Sequence, residues 1–286
     1  MKCFDLHCHS TASDGSLTPN QLIARAEQQG VTHLALTDHD GTEGVIAAQQ
    51  AAGSAITVIA GVEISVTWQQ QTVHIVGLNI DLAHEPLQQG LTALRQYRQR
   101  RAERIGEKLA KAGINDAYQG AKNWASSAMI GRVHFAQFLV QQGYAKSISD
   151  VFKRFLIKNK PGYVASQWVS LAEALGWIHD AGGQAVIAHP LRYKMTTAKL
   201  KRLFTDFTAL GGEGVEVVTG RSQAIEIDQV ARLAKNYGLL ASCGSDFHSP
   251  DNPWVELGRL APLPTTVTPI WHNWHNWHIN SIEENA

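Results

Sequence analysis

Along the 286-residue chain, short apolar runs alternate with longer stretches in which apolar positions recur three and four residues apart. Residues 2–6 read as a strand. Thr18-Pro19 supplies an N-cap followed by proline at the first helical position, and that helix runs to Gly30, which stops it. A strand at 31–36, a helix at 42–52 and strands at 56–60 and 73–78 follow. The rhythm returns later, with helices at 171–181, 199–210 and 224–237 and strands at 184–188, 214–218 and 239–243. Strands alternating with helices of this length predict βαβ units and a mostly parallel sheet. About seven strands suit an α/β fold built as a distorted, TIM-like seven-stranded β/α barrel better than a small open sheet.

The alternation breaks between residues 86 and 164. One long helical pattern at 87–112, rich in Arg, Gln and Glu, precedes shorter ones near 121–129, 133–142 and 149–156. The expected organisation is a barrel from 1–85 and 165–286, with 86–164 as an inserted helical subdomain. The stretch from 262 to 286 reads as irregular. Its Trp271-His272, Trp274-His275 and Trp277-His278 repeat is read as Trp packing against the barrel rather than as a metal site.

Composition removes several functions. A hydrophobic fraction of 44% supports a sizeable core, which excludes a disordered chain. Balanced charge, 25 Lys+Arg against 25 Asp+Glu, excludes a surface that coats nucleic acid, because that needs a basic excess. No apolar leader and no run of about 18 apolar residues is visible, so neither secretion nor a membrane span is expected. Three cysteines are too few and odd in number for a disulfide framework, which suggests a reducing, cytoplasmic setting. Cys8 and Cys243, beside the polar motifs, read as small core residues rather than nucleophiles. No obligate protein partner is indicated.

The unusual feature is the number of histidines, 13. Six of them fall beside the apolar runs: His7 and His9, His39, His74, His189 and His248. Asp14, Glu63 and Asp246 lie among them. Polar residues just past the strands of a β/α barrel converge on one face, and His at i and i+2 of an extended chain point the same way. Nine such groups buried together would be costly without a cation to coordinate, so they predict a metal centre.

His7-x-His9 with Asp14, Thr37-Asp38-His39, Gly61-Val62-Glu63, His74, Ala188-His189-Pro190 and Gly244-Ser245-Asp246-Phe247-His248 span nearly the whole chain. In this order the set resembles the PHP (polymerase and histidinol phosphatase) family. The closer resemblance is to its bacterial subgroup of 3′,5′-nucleoside bisphosphate phosphatases and RNase AM exoribonucleases. It is carried by Ala12-Ser13-Asp14-Gly15, the 73–81 segment, Gly131-Arg132-x-His134-Phe135-Ala136 and Pro253-Trp254-x-Glu256-Leu257-Gly258. The resemblance implies three divalent metals, Mn²⁺ foremost, with Fe or Zn as alternatives. His7, His9, Glu63 and Asp246 would hold one, and Glu63 would bridge to a second held by His74 and His189. Asp14, His39 and His248 would hold the third. Mixed imidazole and carboxylate donors disfavour Ca²⁺ and Mg²⁺. Asp14, His39, Glu63, His189 and His248 would carry catalysis, with Asp14 and His39 also meeting substrate.

Three divalent cations against three carboxylates leave a pocket positive by about three charges, which attracts phosphate and favours hydrolysis of a phosphoester. Arg98 and Arg101, three apart on one helix face, together with Arg132 and His134, fit the subgroup's pattern as a clamp on a second phosphate. Two anion sites point to nucleoside 3′,5′-bisphosphates and 5′-monophosphorylated RNA ends. The expected activities are removal of a 3′-phosphate and 5′→3′ release of 5′-mononucleotides from short RNA. Tyr97, Trp124, Phe135 and Trp168 are candidates to stack a base. A histidinol-phosphate-type phosphomonoesterase is the alternative, disfavoured by the arginines. An amidohydrolase would want a bridging Lys where Glu63 stands, and a non-catalytic nucleic-acid-binding module would not need a complete ligand set.

Overall fold

The computed structural model describes residues 2–125 and 129–276. Its sheet runs in the order β1 (Phe4–Cys8), β2 (His33–Leu36), β3 (Thr57–Trp68), β4 (Gln71–Leu78), β6 (Gln184–Ile187), β7 (Gly214–Thr219), β8 (Leu240–Gly244), with β5 (Val169–Ser170) paired to the far end of β3. Around it lie α1 (Pro19–Gln28), α2 (Glu43–Ala51), α7 (Leu171–Asp180), α8 (Thr197–Ala209) and α9 (Ala224–Asn236). The first helix starts as its sequence dictates, with Thr18 and Gln21 closing a reciprocal capping box ahead of Pro19. The result is a nearly closed, distorted seven-stranded barrel. No helix among the described residues is long and apolar enough to cross a membrane.

One element departs from the parallel expectation. β3 runs twelve residues instead of five and turns back through Gln69 and Gln70 (φ 44° and 62°) into an antiparallel β4. Two left-handed residues in succession make the two-residue hairpin whose twist matches its strands. β4 then pairs antiparallel with β6. Val62, Ile64, Val66 and Trp68 alternate with Gly61, Glu63, Ser65 and Thr67, a strict period of two. The apolar set faces the surrounding helices, and Glu63 sits in mid-strand rather than past a strand end.

Closure between β8 and β1 depends on backbone contact. The Asp246 N–H donates to the His7 carbonyl (2.8 Å) and the His9 N–H to that of Phe247 (2.9 Å). At Gly244 an added Cβ would stand 2.3 Å from the His7 Cβ and 2.7 Å from its nitrogen, so only glycine allows this approach. Inside, Ala35, Ile59, Val76, Leu78, Val186 and Ala188 fill the lower half of the barrel. A 3₁₀ segment, Ile270–Asn276, seals that end: Trp271 stacks on Phe4 (4.1 Å), and the indole of Trp274 donates to Gln184 (2.7 Å). The first two Trp of the repeat therefore pack on the barrel; Trp277 and His278 lie outside the described residues.

Helices α3 (Glu85–Lys111), α4 (Ala117–Trp124), α5 (Arg132–Gln141) and α6 (Ile148–Val151), with a π turn at Phe152–Leu156, occupy the segment between the two halves of the barrel. α4 begins four residues before the expected helix. α3 belongs to two cores: Leu87, Leu91 and Leu94 pack on the barrel, whereas Ala102, Ile105 and Leu109 join α4–α6 in a separate cluster. Phe135 is wholly buried in that second cluster.

Gly244→Ala is expected to wedge β8 away from β1 and cost about 1–3 kcal/mol. Thermal unfolding would register this as a lower Tm; a variant as stable as the parent would mean that the seam can relax.

Candidate metal centre and anion cavity

The nine expected residues meet at one end of the barrel. The loops after β1, β2, β6 and β8 bring His9 and Asp14, His39, His189, and Asp246 and His248; His7 comes from β1, and the β3–β4 hairpin adds Glu63 and His74. Glu63 lies at the middle, 1% exposed. Its Oε1 is 2.9 Å from His74 Nδ1 and 3.0 Å from His189 Nε2. Its Oε2 is 2.8 Å from His39 Nδ1 and 3.4 Å from Nε2 of both His7 and His9. Asp246 Oδ1 stands 3.4 Å from His7 Nε2 and 3.2 Å from His9 Nε2. Asp14 lies 3.4 Å from His248 Nε2 and 3.7 Å from His39 Nε2.

Three groups have donor atoms within 4.8 Å of one another: His9, Asp14, His39 and His248; His7, His9 and Asp246; and His39, Glu63 and His74. His9 and His39 thus each fall in two groups, a sharing not expected from the sequence. Whether a cation fits can be judged from the donors. His39 Nδ1 and Glu63 Oε2 approach to 2.8 Å, yet both are buried and neither makes a hydrogen bond. Close approach without hydrogen-bond direction is the arrangement of lone pairs aimed at a common point. His7 Nε2 and His9 Nε2 face each other at 3.1 Å, within hydrogen-bond distance. The donor set fits a divalent cation that accepts nitrogen and oxygen.

Burial opposes ionisation of Glu63, but His39, His74 and His7 outweigh it and hold the carboxyl well below the usual range. Burial likewise resists charge on Asp246, and His7 overcomes it. At His248 burial disfavours the cation, yet Asp14 and then Asp246 push its pKa up to about 10. His9, buried and next to His248, drops to about 3.

Sequence reasoning missed Glu216. It is buried in β7 with one oxygen 2.6 Å from His7 Nδ1, while the other accepts the His189 N–H at 2.6 Å. A carboxylate-backed imidazole has its tautomer and ring plane fixed, so Glu216 orients the ring of His7, and through the His189 N–H it also anchors the backbone that carries His189. Its signal was a lone carboxylate inside the apolar run 214–218. Asp38, also buried, accepts from the Ser10 N–H and hydroxyl and from the Ser13 hydroxyl, tying down the loop that carries His9 and Asp14.

Beside the cluster lies a cavity of about 230 Å³ with Asp14, His39 and His74 on one wall and Arg98, Arg101 and Arg132 on the other. The arginines are not equivalent. Arg98 is committed: Nε donates to buried Asp40 (2.5 Å), Nη2 donates to Ser65 (2.5 Å), and its guanidinium covers the Trp168 ring at 4.6 Å. Arg101 is 8% exposed; it donates to the Val164 carbonyl (3.1 Å) and its guanidinium lies 5.8 Å from the Trp168 ring centre, with its Nε buried and making no hydrogen bond. Burial, and then the neighbouring Arg132, lower its pKa to about 10. Among the described residues neither Arg101 nor Arg132 pairs with a carboxylate. His134 does not line the cavity; its Nδ1 accepts the Gly131 N–H (3.1 Å) and caps α5. Of the aromatic candidates, Phe135 is buried, Trp124 is held by Gln141, Tyr97 packs edge-on to Trp168, and Trp168 carries Arg98.

The PHP domain model matches residues 5–165. The chain belongs to the PHP family. It is 46% identical over 273 residues to the 3′,5′-nucleoside bisphosphate phosphatase of Chromobacterium violaceum, covering 95% of this chain and 96% of that one. It is 45% identical to the 5′-3′ exoribonuclease Rnm of Escherichia coli, covering 94% and 92%. A solved structure from Chromobacterium violaceum, described as an amidohydrolase with bound sulfate and no metal, superposes with a TM-score of 0.88 at 46% identity, over 95% of each chain.

This PHP centre sits on a strained backbone. His189, Asp246 and Asp40 adopt left-handed conformations (φ 29°, 55° and 48°) that ordinary side chains avoid. Cys8 and Cys243 are buried small residues of the core; burial and then Asp5 push both thiols well up, against a nucleophilic role.

With the ion chelated, the raised pKa of His248 contributes stability in full below its ordinary 6.5, lost as pH climbs toward about 10. The depressed carboxyls contribute above their ordinary range and are lost in acid. The chelated protein is therefore expected to lose Tm steadily from about pH 6.5 to 9. A flat Tm over that interval would show that His248 is not held as a cation.

Proposed function

We propose that this PHP protein is a metal-dependent phosphoesterase that removes the 3′-phosphate of nucleoside 3′,5′-bisphosphates. It would also act as a 5′→3′ exoribonuclease on short 5′-monophosphorylated RNA, releasing 5′-mononucleotides. One observation carries the reading: a single cavity joins the imidazole–carboxylate cluster to Arg101, a buried guanidinium that pairs with no carboxylate among the described residues. A buried, unpaired cation is costly, and an anionic ligand relieves that cost. The two relatives named for these activities, each about 45% identical over nearly the whole chain, support the same substrate class.

In this reading His7, His9, Glu63 and Asp246 hold one cation, Glu63 with His74 and His189 a second, and Asp14, His39 and His248 a third. Mn²⁺ is proposed, with Fe or Zn as alternatives, because the donors mix imidazole and carboxylate. Bound divalent cations supply hydroxide near neutral pH and offset charge on phosphoryl oxygens. Asp14, His39, Glu63, His189 and His248 surround the reacting phosphate, with Glu216 holding the His7 ring and the His189 backbone. From the helical segment 86–164, Arg101 and Arg132 take the substrate's 5′-phosphate, and Arg98 holds that wall to the barrel through Asp40. Water adds to phosphorus, the bond from phosphorus to O3′ breaks, and O3′ leaves as a hydroxyl. With a bisphosphate the products are a 5′-mononucleotide and inorganic phosphate; with RNA the shortened chain keeps a new 5′-phosphate. A histidinol-phosphate-type enzyme has no use for the Arg101 wall.

The test is a rate comparison with Mn²⁺ among a 3′,5′-bisphosphate, a 3′-monophosphate, a 5′-phosphorylated oligoribonucleotide and histidinol phosphate. Removing the 5′-phosphate is expected to cost about 2–4 kcal/mol in kcat/KM; an unchanged value would end the clamp assignment. Arg132, more exposed than Arg101, should cost about 1–2 kcal/mol when replaced by alanine, with Tm preserved.

Arg98→Ala strands the buried Asp40 and should lower stability by about 3 kcal/mol as well as activity. Equal Tm values for Arg98→Ala and the parent would remove Arg98's structural role.

A further inference from the structure

A second cavity, of about 310 Å³, opens on the other side of the cluster, over β6 and β7. His189 and Glu216 belong to its wall, so it adjoins the reacting centre directly. The anion cavity borders His39 and His74, over β2 and β4; His189, whose ring lies 5.4 Å from that of His74, stands between the two spaces. Leu191, Val217 and Val230 give the second cavity an apolar floor, while Arg192, Arg221 and Ser222 give it a polar rim. Arg192 pairs with Asp246. Glu226 also borders the space, but one of its carboxylate oxygens accepts the Gln223 N–H (2.8 Å) at the start of α9. Arg221 has no carboxylate partner among the described residues. Its loop is not loose: at Gly220 an added Cβ would stand 2.3 Å from the Ser245 carbonyl, and Ser222 bonds back to Thr219 through both its N–H and its hydroxyl. Arg221 is thereby held beside the loop that carries Asp246.

We propose that this cavity is the subsite for the second nucleotide of an RNA substrate, with Arg221 meeting the phosphate on its 3′ side. The proposal rests on the function proposed above and extends it. If the 5′-phosphate occupies the Arg101 wall and the scissile phosphate the cluster, the chain beyond that phosphate leaves on the far side, where this space lies. A nucleoside 3′,5′-bisphosphate ends at the scissile phosphate and leaves the cavity empty. Arg221 therefore separates the two activities: it contributes to RNA cleavage and not to bisphosphate hydrolysis.

The experiment compares the Mn²⁺-loaded parent, Arg221→Ala and Arg221→Glu on adenosine 3′,5′-bisphosphate and on a 5′-phosphorylated triadenylate. Loss of one phosphate contact is expected to raise KM for the trinucleotide about tenfold in Arg221→Ala and further in Arg221→Glu, with bisphosphate kinetics within about twofold of the parent. A parent-like ratio of the two substrates in both variants overturns the subsite, as does an equal fall on both substrates. Failure of the parent on both substrates would instead overturn the underlying function, so the two failures are distinguishable.

Discussion

A single carboxylate, Glu63, organises this protein. Five imidazoles, from four different parts of the chain, bring a ring nitrogen within 3.4 Å of its oxygens, and almost none of it reaches solvent. An ion so placed cannot be stable alone, and neutral imidazoles cannot all donate to it in the geometry observed. Positive charge must come either as protons on selected histidines or as cations among them. Both solutions pull the strand-end loops toward one point. The neutral composition conceals this, because the local charge is set by which groups are buried together.

The β3–β4 hairpin is the device that makes the arrangement possible. In a regular β/α barrel each strand contributes mainly at its end, but a long strand that turns straight back places Glu63 and His74 side by side in depth. The cost in parallel pairing is small, since antiparallel ladders bond at least as well. The seam between β8 and β1 is the complementary device. Gly244 lets the two backbones approach until the loops bearing His9 and Asp246 bond to each other. Left-handed backbone at His189 and Asp246 completes the aim of the donors, and the surrounding hydrogen bonds sustain that strain.

The helical segment divides its work in the same physical terms. One half of α3 is glued to the barrel by Leu87, Leu91 and Leu94, while the other half anchors a second core. The arginines occupy the junction, where one guanidinium has a buried carboxylate and another has none among the described residues. That inequality separates a side chain that holds the wall in place from one that waits for an anion.

The alternation of elements and the nine clustered residue types were legible in the chain, because apolar periodicity and polar punctuation are local properties. So were the capped first helix and the inward spacing of His7 and His9. The length of β3 was also written there, in the period of two from Val62 to Trp68, but its antiparallel return was not, and a buried carboxylate in mid-strand reads as a strand end unless its partners are known. Glu216 was hidden for the same reason. The difference between Arg98 and Arg101, the sharing of His9 and His39 between donor groups, and the second cavity over β7 depend on contacts between residues far apart in sequence. Local sequence encodes which groups a segment can offer; only closure of the barrel decides which of them lose water together, and that shared burial sets their charge and their chemistry.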